Sequence, residues 1–89
     1  MSPTKKFQNF TERPMGDKKV KAIPGVGNVL SKKFRDGGIV KAFQLYGMYL
    51  FMGKDDNEFK EWLKSQFHVD AVNIDQITES ISEYARRHK

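Results

Sequence analysis

The chain has 89 residues, no cysteine and a formal net charge of +5 at pH 7. That length holds one domain with a small core, and without cysteine neither a disulfide nor a thiolate-bound metal can reinforce it. His68 and His88 carry no paired ligand motif, no apolar run is long enough to span a bilayer, and no apolar stretch follows the basic N-terminus as a secretory signal would, so the chain reads as soluble and intracellular, with no cofactor and no metal.

The charge is uneven. Residues 1–33 carry eight cationic and two anionic side chains, a net of +6, whereas residues 34–89 carry eight and nine, a net of −1. Cations clustered in this way release counterions when they meet phosphates, which gives a sequence-independent, salt-sensitive attraction. The bland alternative is a solvated face that only keeps the chain soluble.

In chain order, Ser2 and Thr4 precede a first helix that runs to about Arg13, capped by Thr4 and closed by Pro14, with Phe7 and Phe10 on its buried side. Lys5 and Lys6 fall in its first turn, where the helix dipole disfavours cations, so they point to a ligand rather than to helix stability. A phosphate on Ser2 or Thr4 would cancel that charge. Met15 to Lys19 reads as a basic loop. Val20 and Ile23 then lead into Pro24-Gly25-Val26-Gly27, and Val26, Leu30 and Phe34 form one stripe of a second helix, with Asn28 the expected N-cap and Gly37-Gly38 the expected stop. Two glycines around one apolar residue let the backbone turn tightly and come close to another molecule. The leading amides of the second helix would then face outward, with Lys32 and Lys33 a turn later. This is a helix-hairpin-helix suited to phosphate oxygens; an ordinary helix–helix turn is the alternative. Neither a P-loop nor a dinucleotide-binding glycine pattern is present.

From Ile39 to Met52, eleven of fourteen residues are apolar. A helix apolar all round must be covered all round, and so short a chain has little material to cover it, which predicts a two-fold homodimer with Gly47 at a close approach. The alternative is a central core helix of a monomer. Asp55 and Glu58 have capping-box spacing before a helix with Phe59, Trp62, Leu63 and Phe67 on one face. Trp62 reads as core or interface. After a turn at Val69 to Asn73, Ile74, Ile77, Ile81 and Tyr84 stripe a last helix, whose closing Arg86-Arg87-His88-Lys89 suits the negative pole of the dipole or a second nucleic-acid contact. The sum is an all-α domain over residues 1–89 with five to six helices, a helix-hairpin-helix at about 20–37, and dimer or partner helices at about 39–67.

Phe10 with Pro14-Met15-Gly16-Asp17-Lys18, Gly25-Val26-Gly27 with Val29-Leu30 and Lys32-Lys33, Lys41-Ala42, Gly47 with Leu50, and Lys54-Asp55 with Phe59 and Glu61-Trp62-Leu63-Lys64 follow in an order that resembles the barrier-to-autointegration factor family, without gaps from about residue 6 to 67. The resemblance implies an all-helical homodimer that binds double-stranded DNA without sequence preference, one hairpin per subunit, so that a dimer bridges two duplexes. It implies roles in chromatin compaction and nuclear envelope organisation, a location in the nucleus and also the cytoplasm, and LEM-domain and lamin-type partners. By position, Lys6, Gly25, Gly27, Val29, Leu30 and Lys33 would meet phosphates, joined by Val26 and Lys32 from the hairpin pattern and by Ala71 before the last helix. Tyr46, Gly47, Leu50, Phe51 and Glu58, with Trp62 beside them, would line the dimer seam and partner groove. Release from DNA would follow phosphorylation of Ser2 and Thr4. The chain departs from the family in lacking cysteine, in Val72 after Ala71, in Tyr46, Phe51 and Glu58, and in its basic tail.

Two other functions compete with DNA bridging. One is a dimeric protein-interaction module with secondary DNA binding. The other, an enzyme, would need a carboxylate cluster or a lysine nucleophile in a pocket, and the acidic residues fall on outward helix faces. The chain is read as non-enzymatic.

Overall fold

The computed structural model describes residues 4–89, so Ser2 lies outside the described residues. Within them the chain forms five α-helices, α1 (Lys5–Glu12), α2 (Asn28–Asp36), α3 (Ala42–Phe51), α4 (Asp56–Phe67) and α5 (Ala71–Arg87), with one 3₁₀ turn at Val20–Ala22 and no strand.

Each boundary has a local cause. Thr4 caps α1 by accepting a hydrogen bond from the Phe7 amide at 3.1 Å, and Arg13 leaves the helix in the extended conformation that a following proline favours. Gly38, at φ +92°, ends α2: its amide donates to the Arg35 carbonyl at 2.9 Å and the Ile39 amide to Phe34 at 2.8 Å, the paired bonds of a Schellman stop. Asp55 caps α4 through the Glu58 amide, and Asp70 caps α5 through that of Asn73. One expected cap is corrected. Gly27, not Asn28, is the N-cap of α2, because the helical ladder already starts with the Ser31 amide donating to the Gly27 carbonyl.

The last helix organises the core. Ile77 and Ile81 on its inner stripe are fully buried, with Ile74 and Tyr84 nearly so, and α1 and α4 pack on either side of it. The Tyr84 ring lies 5.4 Å from Phe10, and its hydroxyl accepts from the Met15 amide at 2.9 Å, which fixes the loop after Pro14. The long apolar stretch is helical only from Ala42 onward. Ile39 to Lys41 is extended and pairs with the segment before the 3₁₀ turn, the Val20 amide donating to Val40 and the Ala42 amide to Lys18, each at 2.9 Å. That pairing clamps the hairpin's first arm to the start of α3.

Candidate nucleic-acid interface

The hairpin is a Pro-Gly turn before it is anything else. Pro24 and Gly25 occupy its centre, the Val26 amide donates back to Ile23 at 3.0 Å, and Gly25 holds φ +91°, as the third residue of a type II turn must. Ile23 and Val26 are buried and anchor the turn's two ends. Gly25 is also needed for fit: a Cβ there would meet the Asn73 carbonyl, Gln76 Cβ and Ile77 Cγ1 of α5, each at 3.0 Å. Gly27 differs. Among the described residues a Cβ on it would meet nothing within 4 Å, which leaves the chain open to close approach there.

Beyond Gly27, α2 begins without a side-chain cap. Its first amides, those of Asn28, Val29 and Leu30, therefore keep their hydrogen-bonding capacity. Val29 is 76% exposed beside them, whereas Leu30 is buried, although it lines the groove at this end. The groove under these amides is closed by the turn between α4 and α5, with Lys33 on one wall and His68 and Asp70 on the other. Lys33 Nζ lies 3.5 Å from the Phe67 carbonyl. Lys32 points away and pairs with Asp36 at 3.1 Å on the surface. Lys6 reaches across from α1 and donates to the Val26 carbonyl at 3.1 Å, and burial, followed by the charge of nearby Lys21, lowers its ammonium below the ordinary lysine value. Ala71 opens α5 and is exposed, with Val72 68% exposed after it.

So Lys6, Val26, Gly27, Val29, the Leu30 backbone and Lys33 converge on one end of the molecule. Gly25 faces inward to α5, and Lys32 is turned toward a carboxylate. Sequence reasoning missed His68 and Asp70. Asp70 was legible as an N-cap three residues before Asn73, but His68 was not, because nothing in its neighbours signals the left-handed conformation (φ 53°) that turns it toward the groove.

The residues assigned to a dimer seam separate into two groups. On α3, Gly47, Leu50 and Phe51 share an exposed face with Phe43, which sequence reasoning also missed; Phe51 is 85% exposed and Phe43 49%. Among the described residues a Cβ on Gly47 would meet nothing within 4 Å. Tyr46 instead packs edge-on against Tyr84 at 5.1 Å, and Trp62 sits between Phe59 at 5.9 Å and Phe67 at 5.3 Å, half-buried. Glu58 is exposed in the first turn of α4. Ala42, Leu45 and Tyr49 form the buried side of α3. A helix apolar all round is thus covered on one side only. Among the described residues no helix is long and apolar enough to cross a membrane.

A family model described as "Barrier to autointegration factor" matches residues 1–88. The chain is 39% identical to Barrier-to-autointegration factor 1 of Caenorhabditis elegans over 85 residues, 96% of each chain. It is 41% identical to the Barrier-to-autointegration factor of Mus musculus over 64 residues, 72% of each, and 36% identical to that of Drosophila melanogaster over 66 residues, 74% of this chain and 73% of the relative. The nematode match carries the likeness beyond residue 67 into α5. With a match over nearly its whole length and relatives at this identity, the chain belongs to the barrier-to-autointegration factor family.

Proposed function

We propose that the chain is a non-enzymatic protein that binds double-stranded DNA through its phosphate backbone, without sequence preference, and bridges duplexes as a homodimer. The observation that carries this reading is the uncapped start of α2, whose free amides stand beside open Gly27 with Lys33 and Lys6 on either side. Backbone amides at a positive helix pole bind phosphate whatever the base. One hairpin per chain grips one duplex, so bridging takes two copies, and the exposed face of Phe43, Gly47, Leu50 and Phe51 supplies an apolar surface for the second. Membership of the family supports a nuclear role in chromatin compaction and nuclear envelope organisation, with LEM-domain and lamin-type partners. A phosphate on Thr4 would sit at the N-terminus of α1, which the helix tolerates, while cancelling the Lys5 and Lys6 charge.

Gel shifts with two unrelated duplexes test the reading. Equal shifts are expected, with affinity falling by about 10³ or more between 50 and 200 mM salt if six or more phosphates are neutralised. Gly27→Glu places a carboxylate at the open amides where there is room for it, and is expected to abolish the shift while helicity is kept. A flat salt response, or binding unchanged in Gly27→Glu, would overturn the mechanism. The exposed α3 face favours a second reading, a dimeric interaction module; a stable dimer that ignores DNA would support it.

A further inference from the structure

A second groove lies on the other side of α2 from the one that holds Lys33. Its walls are Lys19 and Lys21 of the first arm, Asn28 and Arg35 of α2, and Val40 of the extended segment before α3. Three of these residues are cations, and among the described residues no carboxylate lines the groove. Among the described residues none of the three forms an ion pair, whereas Lys32, Lys60, Arg86 and Arg87 all do. Asp36, the one acid of α2, is engaged by Lys32 outside the groove.

Like charges brought into one concavity repel each other, and a solvated surface avoids the cost by spreading them or interleaving acids. Here the backbone enforces the gathering. The Val20 amide bonded to Val40 draws the Lys19–Lys21 segment and the start of α3 together, and the helical spacing of Asn28, Ser31 and Arg35 turns all three onto the same wall. The groove is also continuous with the hairpin, because Asn28 lines both it and the groove that holds Lys33. At its near end Lys21 is close enough to Lys6 for its charge to depress that ammonium. Lys6, Lys21, Lys19 and Arg35 therefore continue the positive field past the mouth of the hairpin.

We propose that this groove is a second phosphate-binding surface, which takes the sugar–phosphate backbone of the same duplex that the hairpin grips. The inference rests on the proposed DNA binding and extends it. The hairpin amides hold one stretch of backbone, and Lys19, Lys21 and Arg35 neutralise phosphates flanking it. Binding here reads no bases: long flexible lysines supply charge, and Arg35 can fork onto a phosphate.

The test is the salt dependence of duplex binding by the full chain. Each neutralised phosphate contributes about 0.9 to the slope of log affinity against log salt. The triple variant Lys19→Gln, Lys21→Gln, Arg35→Gln is expected to lose roughly 2 to 3 units of that slope and at least tenfold in low-salt affinity, with helicity and mass unchanged. Lys54→Gln, Lys60→Gln, Lys64→Gln removes the same charge from the α4 side and is expected to leave the slope near that of the parent. Unchanged slope and affinity in the first triple, or an equal loss in the second, would overturn the groove. Gly27→Glu separates the two ideas. If it abolishes binding while the groove triple binds as the parent does, the hairpin stands and the groove falls; if it binds normally while the triple does not, the groove stands without the hairpin.

Discussion

Gly25 and Gly27 stand two residues apart in one turn and serve opposite purposes. Gly25 combines a positive φ with contacts at 3.0 Å to α5, so any side chain meets both backbone strain and a packed wall. Gly25→Ala is expected to cost about 2 kcal/mol or more, a large share of the stability of so small a domain. Gly27→Ala is expected to change stability by about 0.5 kcal/mol or less. Urea melts of the two variants check the contrast; equal losses would mean that neither the positive φ nor the contact with α5 sets Gly25 apart. A second residue-scale expectation concerns pH. Burial, then the Asp56 carboxylate that accepts from its hydroxyl at 2.8 Å, raises the Tyr49 phenol above the ordinary value of 10.0. In the unfolded chain the phenol ionises at its ordinary pKa, so above pH 10 the unfolded state releases its proton first. Stability is therefore lost as pH rises from 10 through the folded pKa. Tyr46, raised by burial, adds to the same loss. Lys6, lowered by burial, works in the opposite sense just below the ordinary lysine value. Helicity followed by circular dichroism from pH 8 to 12 should fall above pH 10, and less steeply in Tyr49→Phe.

The elements differ in how much of themselves they show in sequence. The stripe Ile74, Ile77, Ile81 and Tyr84 is periodic because α5 has one inner and one outer side, and all four are buried. The glycines, Pro24 and the lysines after them mark the hairpin for the same reason: each has a backbone or charge requirement that few other residues meet. In α3 the apolar residues run all round, so periodicity cannot tell inside from outside. That is why the pattern could single out neither Tyr46, which packs on Tyr84, nor Phe43, which faces out. The basic groove was hidden for another reason. It joins three segments, and the bonds of Val20 to Val40 and of Ala42 to Lys18 draw its first arm against the start of α3. The exposed α3 face carries its own prediction. Phe51 is 85% exposed, so Phe51→Lys leaves the single chain's packing intact while placing two like charges across a two-fold seam. Light scattering should report a parent mass near twice 10.3 kDa and a variant mass near 10.3 kDa. A dimer that survives the change would place the seam elsewhere.

At the scale of the whole molecule, charge and apolar surface divide the work. The hairpin end gathers the cations, the outer stripe of α5 carries Asp75, Glu79 and Glu83, and α3 presents the uncovered apolar face. On α5 the acids Asp75 and Glu83 are compensated by Lys60, Arg86 and Arg87, so the uncompensated positive field lies at the hairpin end and draws one duplex to one hairpin. Bridging is then a property of two chains, and it can be removed without removing DNA affinity. With two duplexes carrying different fluorophores, the parent protein should bring donor and acceptor together at substoichiometric concentration. Phe51→Lys should still shift a single duplex, with the salt slope of one hairpin, yet give no energy transfer between duplexes. Gly27→Glu should fail in both assays while keeping the dimeric mass. Energy transfer persisting in a monomeric Phe51→Lys would show that one chain holds two duplexes by itself. The hairpin and the α3 face would then no longer be separable functions, and two-fold symmetry would not be the source of bridging.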